Sequence, residues 1–383
     1  MKVTQRVRRL AATLTFVAAA LWIAVYAPNS EATEQAPDGS VLFSQNHLAP
    51  GDVTDATSIY LASAAGGKVR QLTPLTIGTR DLGAHWSTHG HVVVFERVAT
   101  ADWFTQSQIY RLDRNNGRLR QITLGKSRHQ YPVWGPRGWI AFIDGGVDNH
   151  QCLALVRPNG GDQHVLFCPG PADGAFQPPQ WSLDGRQLFV EIHYFGDVGL
   201  TPPSYSDVYR VDAATGKTTR ISHLNTGDPA HLAISPDGTR GIYTWDATSA
   251  MEIVNFTTGR TTGGEFSELY GSSPSWSHDS KHFAFTRNVA VTGSPFPFGA
   301  VFVMCSVSGK VRQLTNKPDG FDFYYPAGWS RDDSHILLNR THYITTGPDA
   351  GEYFSVNMLD VNTQAISVVA NGGTVDEGAW EEP

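Results

Sequence analysis

The side chains best suited to chemistry in this 383-residue sequence are two His-Tyr pairs, His193-Tyr194 and His342-Tyr343, and three arginines, Arg97, Arg287 and Arg340. Each stands at the end of a short alternating apolar segment, where a strand would leave its core. An Arg guanidinium pairs a carboxylate in a planar fork, and a neighbouring His or Tyr can move a proton. Gathered in one place, these residues would bind an acidic sugar and act on it as a polysaccharide lyase or other glycan-active enzyme. Asp144 and Asp246 hold comparable places, and Arg128, His129 and Tyr131 enter from a link between two segments. Aromatic residues crowd the same stretches: Trp103, Phe104, Tyr194, Phe195, Tyr205, Phe296, Phe298 and Tyr343. Planar rings stack on sugars or on peptide side chains. They serve equally to cap the strands beneath, because large bare apolar patches are rare without a partner.

Other chemistry has less support. His89 and His91 form a tight pair but fall on a turn, where they read as solvent-facing, so no metal is assigned. No Gly-x-Ser-x-Gly elbow occurs, which sets serine peptidases aside. A net charge of −7, with no basic cluster in the body of the chain, excludes the footprint of a nucleic-acid binder. The leading reading is therefore a non-catalytic monomer that binds a protein, peptide or glycan, and no cofactor is expected.

These residues must be positioned by strands. With 38 Gly, 22 Pro, 19 Phe, 13 Tyr and 10 Trp but only 17% charged residues, the composition suits many short strands joined by tight turns. A repeat recurs roughly every 49 residues. It reads His85-Trp86-Ser87, Val133-Trp134-Gly135-Pro136, Gln180-Trp181-Ser182-Leu183-Asp184-Gly185 and Ala233-Ile234-Ser235-Pro236-Asp237-Gly238, then Ser275-Trp276-Ser277-His278-Asp279, Gly328-Trp329-Ser330-Arg331-Asp332 and Ala379-Trp380. After each comes an alternating strand, then a second, and after a Gly turn a third, such as Lys68-Val-Arg-Gln-Leu-Thr73, Arg118-Leu-Arg-Gln-Ile-Thr123 and Lys310-Val-Arg-Gln-Leu-Thr315. The Trp at each repeat reads as a wedge between neighbouring units, and the Asp as a turn former. Trp380 lacks a following Asp-Gly strand, and Asp38-Gly39-Ser40-Val41-Leu42-Phe43 supplies one. The expected fold is all-β: a seven-bladed β-propeller of four-stranded antiparallel blades, closed by pairing of the N- and C-terminal segments, over residues 36–383.

The repeat resembles the WD-like repeat of the TolB propeller family. The resemblance covers nearly all of the chain after the leader and implies the propeller fold, while the family's functions range over scaffolds, peptidase propellers, sugar-binding modules and lyases. Two departures restrict it. Neither the α/β domain that precedes the TolB propeller nor the hydrolase half of the peptidase relatives is expected here, and with them neither a role in the Tol machinery nor a serine peptidase.

Lys2, Arg6, Arg8 and Arg9 precede an apolar run from Leu10 to Ala27, which reads as an export segment over residues 1–32. It is either a cleaved signal peptide, with Ser30 and Ala32 at the cut, or a retained membrane tether. Both place the rest of the chain in the periplasm or outside the cell. Cys152 and Cys168 flank the turn at Asn159-Gly160-Gly161 and could face each other across a hairpin as a disulfide, or stay as two thiols; Cys305 has no partner. A meander puts the Asp-Gly turns on one end and the long connections on the other, so the loop-rich end is where a ligand is expected.

Overall fold

The computed structural model describes residues 39–47, 56–99, 106–145, 150–169, 174–194, 205–222, 229–245, 251–260, 271–291, 297–316, 321–344, 351–371 and 375–381. Residues 1–32, expected to be an export segment, lie outside them. No helix occurs among the described residues.

The strands follow one another as antiparallel meanders. The chain begins with β1 (Ser40–His47), β2 (Ala56–Ser63) and β3 (Val69–Gln71), and continues with β4 (Thr79–Trp86), β5 (Val92–Ala99), β6 (Ser107–Asp113) and β7 (Leu119–Gln121). A four-stranded sheet of β8 (His129–Trp134), β9 (Ile140–Asp144), β10 (Cys152–Val156) and β11 (His164–Phe167) comes next. In the following meander Pro178 and Pro179, which cannot donate to a ladder, divide the inner strand into β12 (Gly174–Phe176) and β13 (Gln180–Trp181). Both pair with β14 (Gln187–Tyr194), which is followed by β15 (Tyr205–Asp212) and β16 (Thr218–Arg220). Then come β17 (Pro229–Ile234), β18 (Arg240–Trp245) and β19 (Met251–Asn255), and after them β20 (Ser272–Trp276), β21 (His282–Val289), β22 (Phe298–Cys305) and β23 (Val311–Gln313). The last full meander is β24 (Phe321–Trp329), β25 (His335–Ile344), β26 (Gly351–Asp360) and β27 (Ile366–Asn371). β28 (Val375–Glu381) then pairs antiparallel with β1, setting Val41 opposite Trp380.

The repeated residues each have a structural task. In the Ser-x-Asp turns the hydroxyls of Ser182, Ser235, Ser277 and Ser330 donate to the aspartate two residues on at 2.6–2.7 Å. The same hydroxyls accept the backbone N–H of Gln187, Arg240, His282 and His335 at 2.8–3.0 Å. The indole N–H groups of Trp181, Trp276 and Trp329 each donate to a carbonyl one meander back, on Val133, Ala233 and Ser275, at 2.9–3.1 Å. The wedge is thus tied at its polar end as well as packed. At the end of each Leu-Thr segment Thr73, Thr123, Ser222 and Thr315 accept the N–H of Ile59, Ile109, Val208 and Val301 at 2.8–2.9 Å, which satisfies a donor the short outer strand leaves open.

The second strands of the meanders, such as β5, β9 and β14, carry apolar residues on both faces because both are covered. Leu42, Ile59 and Leu61 pack on Trp86, Val93 and Phe95 of the next meander; Ala141 and Ile143 pack on Trp181 and Leu188; Phe189 packs on Ile234 and Tyr243. Val41 and Phe43 of β1 pack on Leu337, Val356 and Met358 of β25 and β26. Each fully buried Val, Leu, Ile or Phe contributes about 1.5–3 kcal/mol, and only stacked neighbours provide that burial. The inner strands also bulge: register shifts occur in β4, β8, β17, β20 and β24. In β4, β8 and β20 the residue three before the Trp, respectively Gly83, Tyr131 and Ser273, has φ of 59°, 53° and 52°. A bulge bends the strand and turns its first residues toward the loop-rich end.

The strands run further than the alternating patterns suggest. Arg97, His193, Tyr194, Arg340, His342 and Tyr343 belong to strands and not to loops, because hairpin pairing continues past the apolar core, as far as Ile344 opposite Gly351. Cys152 and Cys168 are joined as a disulfide across the β10–β11 hairpin, and Cys305 is a free thiol.

Candidate ligand-binding face

At the loop-rich end the charged side chains are held by buried aspartates of the innermost strands. Asp81 on β4 is 1% exposed and accepts from Nε and Nη2 of Arg97 at 2.6 and 2.7 Å. The same guanidinium lies 4.9 Å from the Tyr110 ring centre. On β24 the equally buried Asp322 accepts from Nε and Nη2 of Arg340 at 2.7 Å and meets Nδ1 of His342 at 2.8 Å. Register explains these pairs, since Asp81 stands opposite Arg97 and Asp322 opposite His342, so that each pair shares one face. Neither aspartate was singled out from the sequence. Their signal was an acid within a strand of aromatic and apolar residues, as in Phe321-Asp322-Phe323-Tyr324-Tyr325.

A second polar group sits between the β4–β7 and β8–β11 meanders. Burial pushes the Glu96 carboxyl up, against the pull of Arg128 and hydrogen bonds from Ser107 and the Tyr131 backbone. Arg128 Nε stands 4.0 Å from Glu96 Oε1. His129 is wholly buried, its Nδ1 3.1 Å from Gln108 Oε1 and its Nε2 3.6 Å from Asp144 Oδ1. It anchors the link between meanders and offers no surface to a ligand, which corrects its assignment as a binding residue. Phe298 is corrected likewise: it is 1% exposed and packs edge-to-face on Tyr324 at 6.3 Å.

The remaining sequence candidates make local contacts. His193 Nδ1 lies 3.1 Å from the Ser206 hydroxyl, and the Tyr194 hydroxyl 3.1 Å from that of Tyr209. Arg287 lies 5.7 Å from the Phe302 ring centre. His193 and His342 stand on different sheets, His193 beside Ser206 and His342 beside Asp322. His89 and His91 are exposed on their turn. Trp103, Phe104, Phe195, Asp246, Phe296 and the Tyr205 side chain lie outside what is described. Among the described residues no group of three or more His, Cys, Asp or Glu side chains could hold a metal ion.

Known structures with the same arrangement cover most of the chain. The β-propeller domain of the trilobed protease from Pyrococcus furiosus is 10% identical, with a TM-score of 0.58 over 88% of this chain and 96% of that chain. The fold is a β-propeller. An oligogalacturonate lyase from Vibrio parahaemolyticus is 13% identical over 87% of this chain and 86% of its own, with a TM-score of 0.57. A puromycin hydrolase mutant is 16% identical over 93% of this chain and 56% of its own, with a TM-score of 0.61. At these identities the likeness is one of fold. No family model and no curated protein sequence matches the chain.

On this propeller Arg97 and Arg340 are committed to buried carboxylates before any ligand arrives. Such pairs rigidify the face and leave ring faces, hydroxyls and guanidinium edges as the contacts on offer.

Proposed function

We propose that the chain is an exported, seven-bladed propeller of the TolB-like repeat type whose loop-rich face binds a protein, peptide or glycan without transforming it. The observation that carries this reading is the pairing of Arg97 with Asp81, and of Arg340 and His342 with Asp322, each inside its own blade. A lyase site would need cations free to meet a substrate carboxylate, and a proton-moving His beside them. The blade count rests on the spacing of the repeat, and closure of the ring is supported by the β1–β28 ladder and by the packing of Phe43 on Leu337. Export, to the periplasm or the outside, rests on the basic and apolar leader within residues 1–32.

The test is to incubate the purified protein with polygalacturonate and with other acidic polysaccharides, and to fix partners from an envelope extract by crosslinking. Binding partners without unsaturated, ultraviolet-absorbing products is the expected result. Products that disappear in His342→Ala would overturn the reading in favour of a lyase.

A further inference from the structure

The hairpin of β25 and β26 is ten residues long on each side, against eight for β5, β14 and β21. All four second strands start at the same distance from their repeat Trp, so this hairpin stands two residue pairs higher at the loop-rich end. Its two faces differ in chemistry. Asp322, Arg340 and His342 neutralise one another on one face. On the other, Tyr343 stands directly opposite Glu352, and the Phe323 ring meets the Tyr343 ring edge-to-face at 5.8 Å. Gly299 of the preceding blade makes room for that ring, since a Cβ there would lie 2.7 Å from Phe323 Cδ1. Tyr325 lies two residues along β24, and both tyrosines feel the Glu352 charge.

Glu352 has no ion-pair partner among the described residues, and partial burial alone pushes its carboxyl up. A carboxylate at the edge of several rings, whose faces carry partial negative charge, attracts a cation and repels an anion. The chain's net charge of −7 favours the approach of a basic partner in the same sense.

We propose that Glu352, Tyr343, Phe323 and Tyr325 form a cage for a cationic side chain, a Lys ammonium or Arg guanidinium carried by a peptide partner. The assignment rests on the binding reading above and narrows it to a basic peptide. An acidic sugar would meet Glu352 as a like charge.

Fluorescence anisotropy of labelled octalysine, octaarginine and octaglutamate with the full-length protein tests it. The wild type binds the two basic peptides and not the acidic one. Glu352→Gln weakens binding by roughly tenfold, the loss expected of one charge-assisted contact. Tyr343→Leu weakens it by roughly threefold, whereas Tyr343→Phe, which keeps the ring, changes it little. Asp162→Asn, an exposed acid outside the cage, serves as the control for charge alone and leaves affinity unchanged. Equal binding by wild type and Glu352→Gln overturns the cage, as does an equal loss in Asp162→Asn. Lys317, on the link into β24, lies outside the described residues. Binding that emerges only in Lys317→Ala would show an internal cation in the cage and overturn it too. An envelope partner held equally by wild type and Glu352→Gln sinks the cage alone, whereas unsaturated products from an acidic polymer sink the wider binding reading.

Discussion

Asp81 and Asp322 are carboxylates taken almost wholly out of water, a costly placement that their arginines offset only while the pairs remain intact. Removing one partner leaves the other charge stranded. Asp322→Ala strands Arg340 and His342 together, but Arg340 is 28% exposed, so the cost is about 2 kcal/mol and not the 3–5 of a fully buried pair. Urea unfolding at unchanged slope should show it as a lower midpoint. His85 carries a pH dependence of its own. Burial lowers its pKa from 6.5 to about 4, opposed only by its hydrogen bond to the Trp86 carbonyl at 2.9 Å. Between those values the unfolded chain takes up a proton that the native chain refuses. Its contribution is therefore complete above pH 6.5 and is lost as pH falls toward 4, by about 3 kcal/mol in all. His85→Gln should flatten stability measured across that window.

At the scale of the strand, the repeat can be read as a set of bonds. Thr315→Val keeps the shape of the side chain but removes the oxygen that accepts the Val301 N–H at 2.9 Å. An unsatisfied buried donor costs about 1–3 kcal/mol, which thermal unfolding would detect. Trp329→Phe should cost a comparable amount through the lost bond to the Ser275 carbonyl, in addition to its lost volume. Strand ends were harder to read than strand centres. Alternation of apolar residues marks only the part of a strand that packs in the core, whereas Arg97 and Tyr343 lie where backbone pairing continues and the side-chain contacts are polar or aromatic, with Asp81 and Phe323.

Over the whole molecule, stability depends on how the ends of each unit are fastened. The Cys152–Cys168 disulfide closes a loop with a sequence separation of 16, worth about 3 kcal/mol through the unfolded state, so Cys168→Ser or a reductant should lower the melting temperature. Deleting residues 375–383 bares the edge of β1 and the face of Val41, and should cause loss of cooperative unfolding or association through the open strand, visible in light scattering. The sequence by itself determined the all-β class, the repeat, its turns and the Trp wedges, because these follow from residues within one unit of the chain. It also brought Arg340, His342 and Tyr343 forward as residues of interest. Which of them share a partner was decided only by the tertiary structure. Cross-strand register puts Asp322 against His342 and Glu352 against Tyr343, and burial separates His129 and Phe298 from the surface. Register and burial join residues far apart in the chain, so spacing along one strand cannot reveal them.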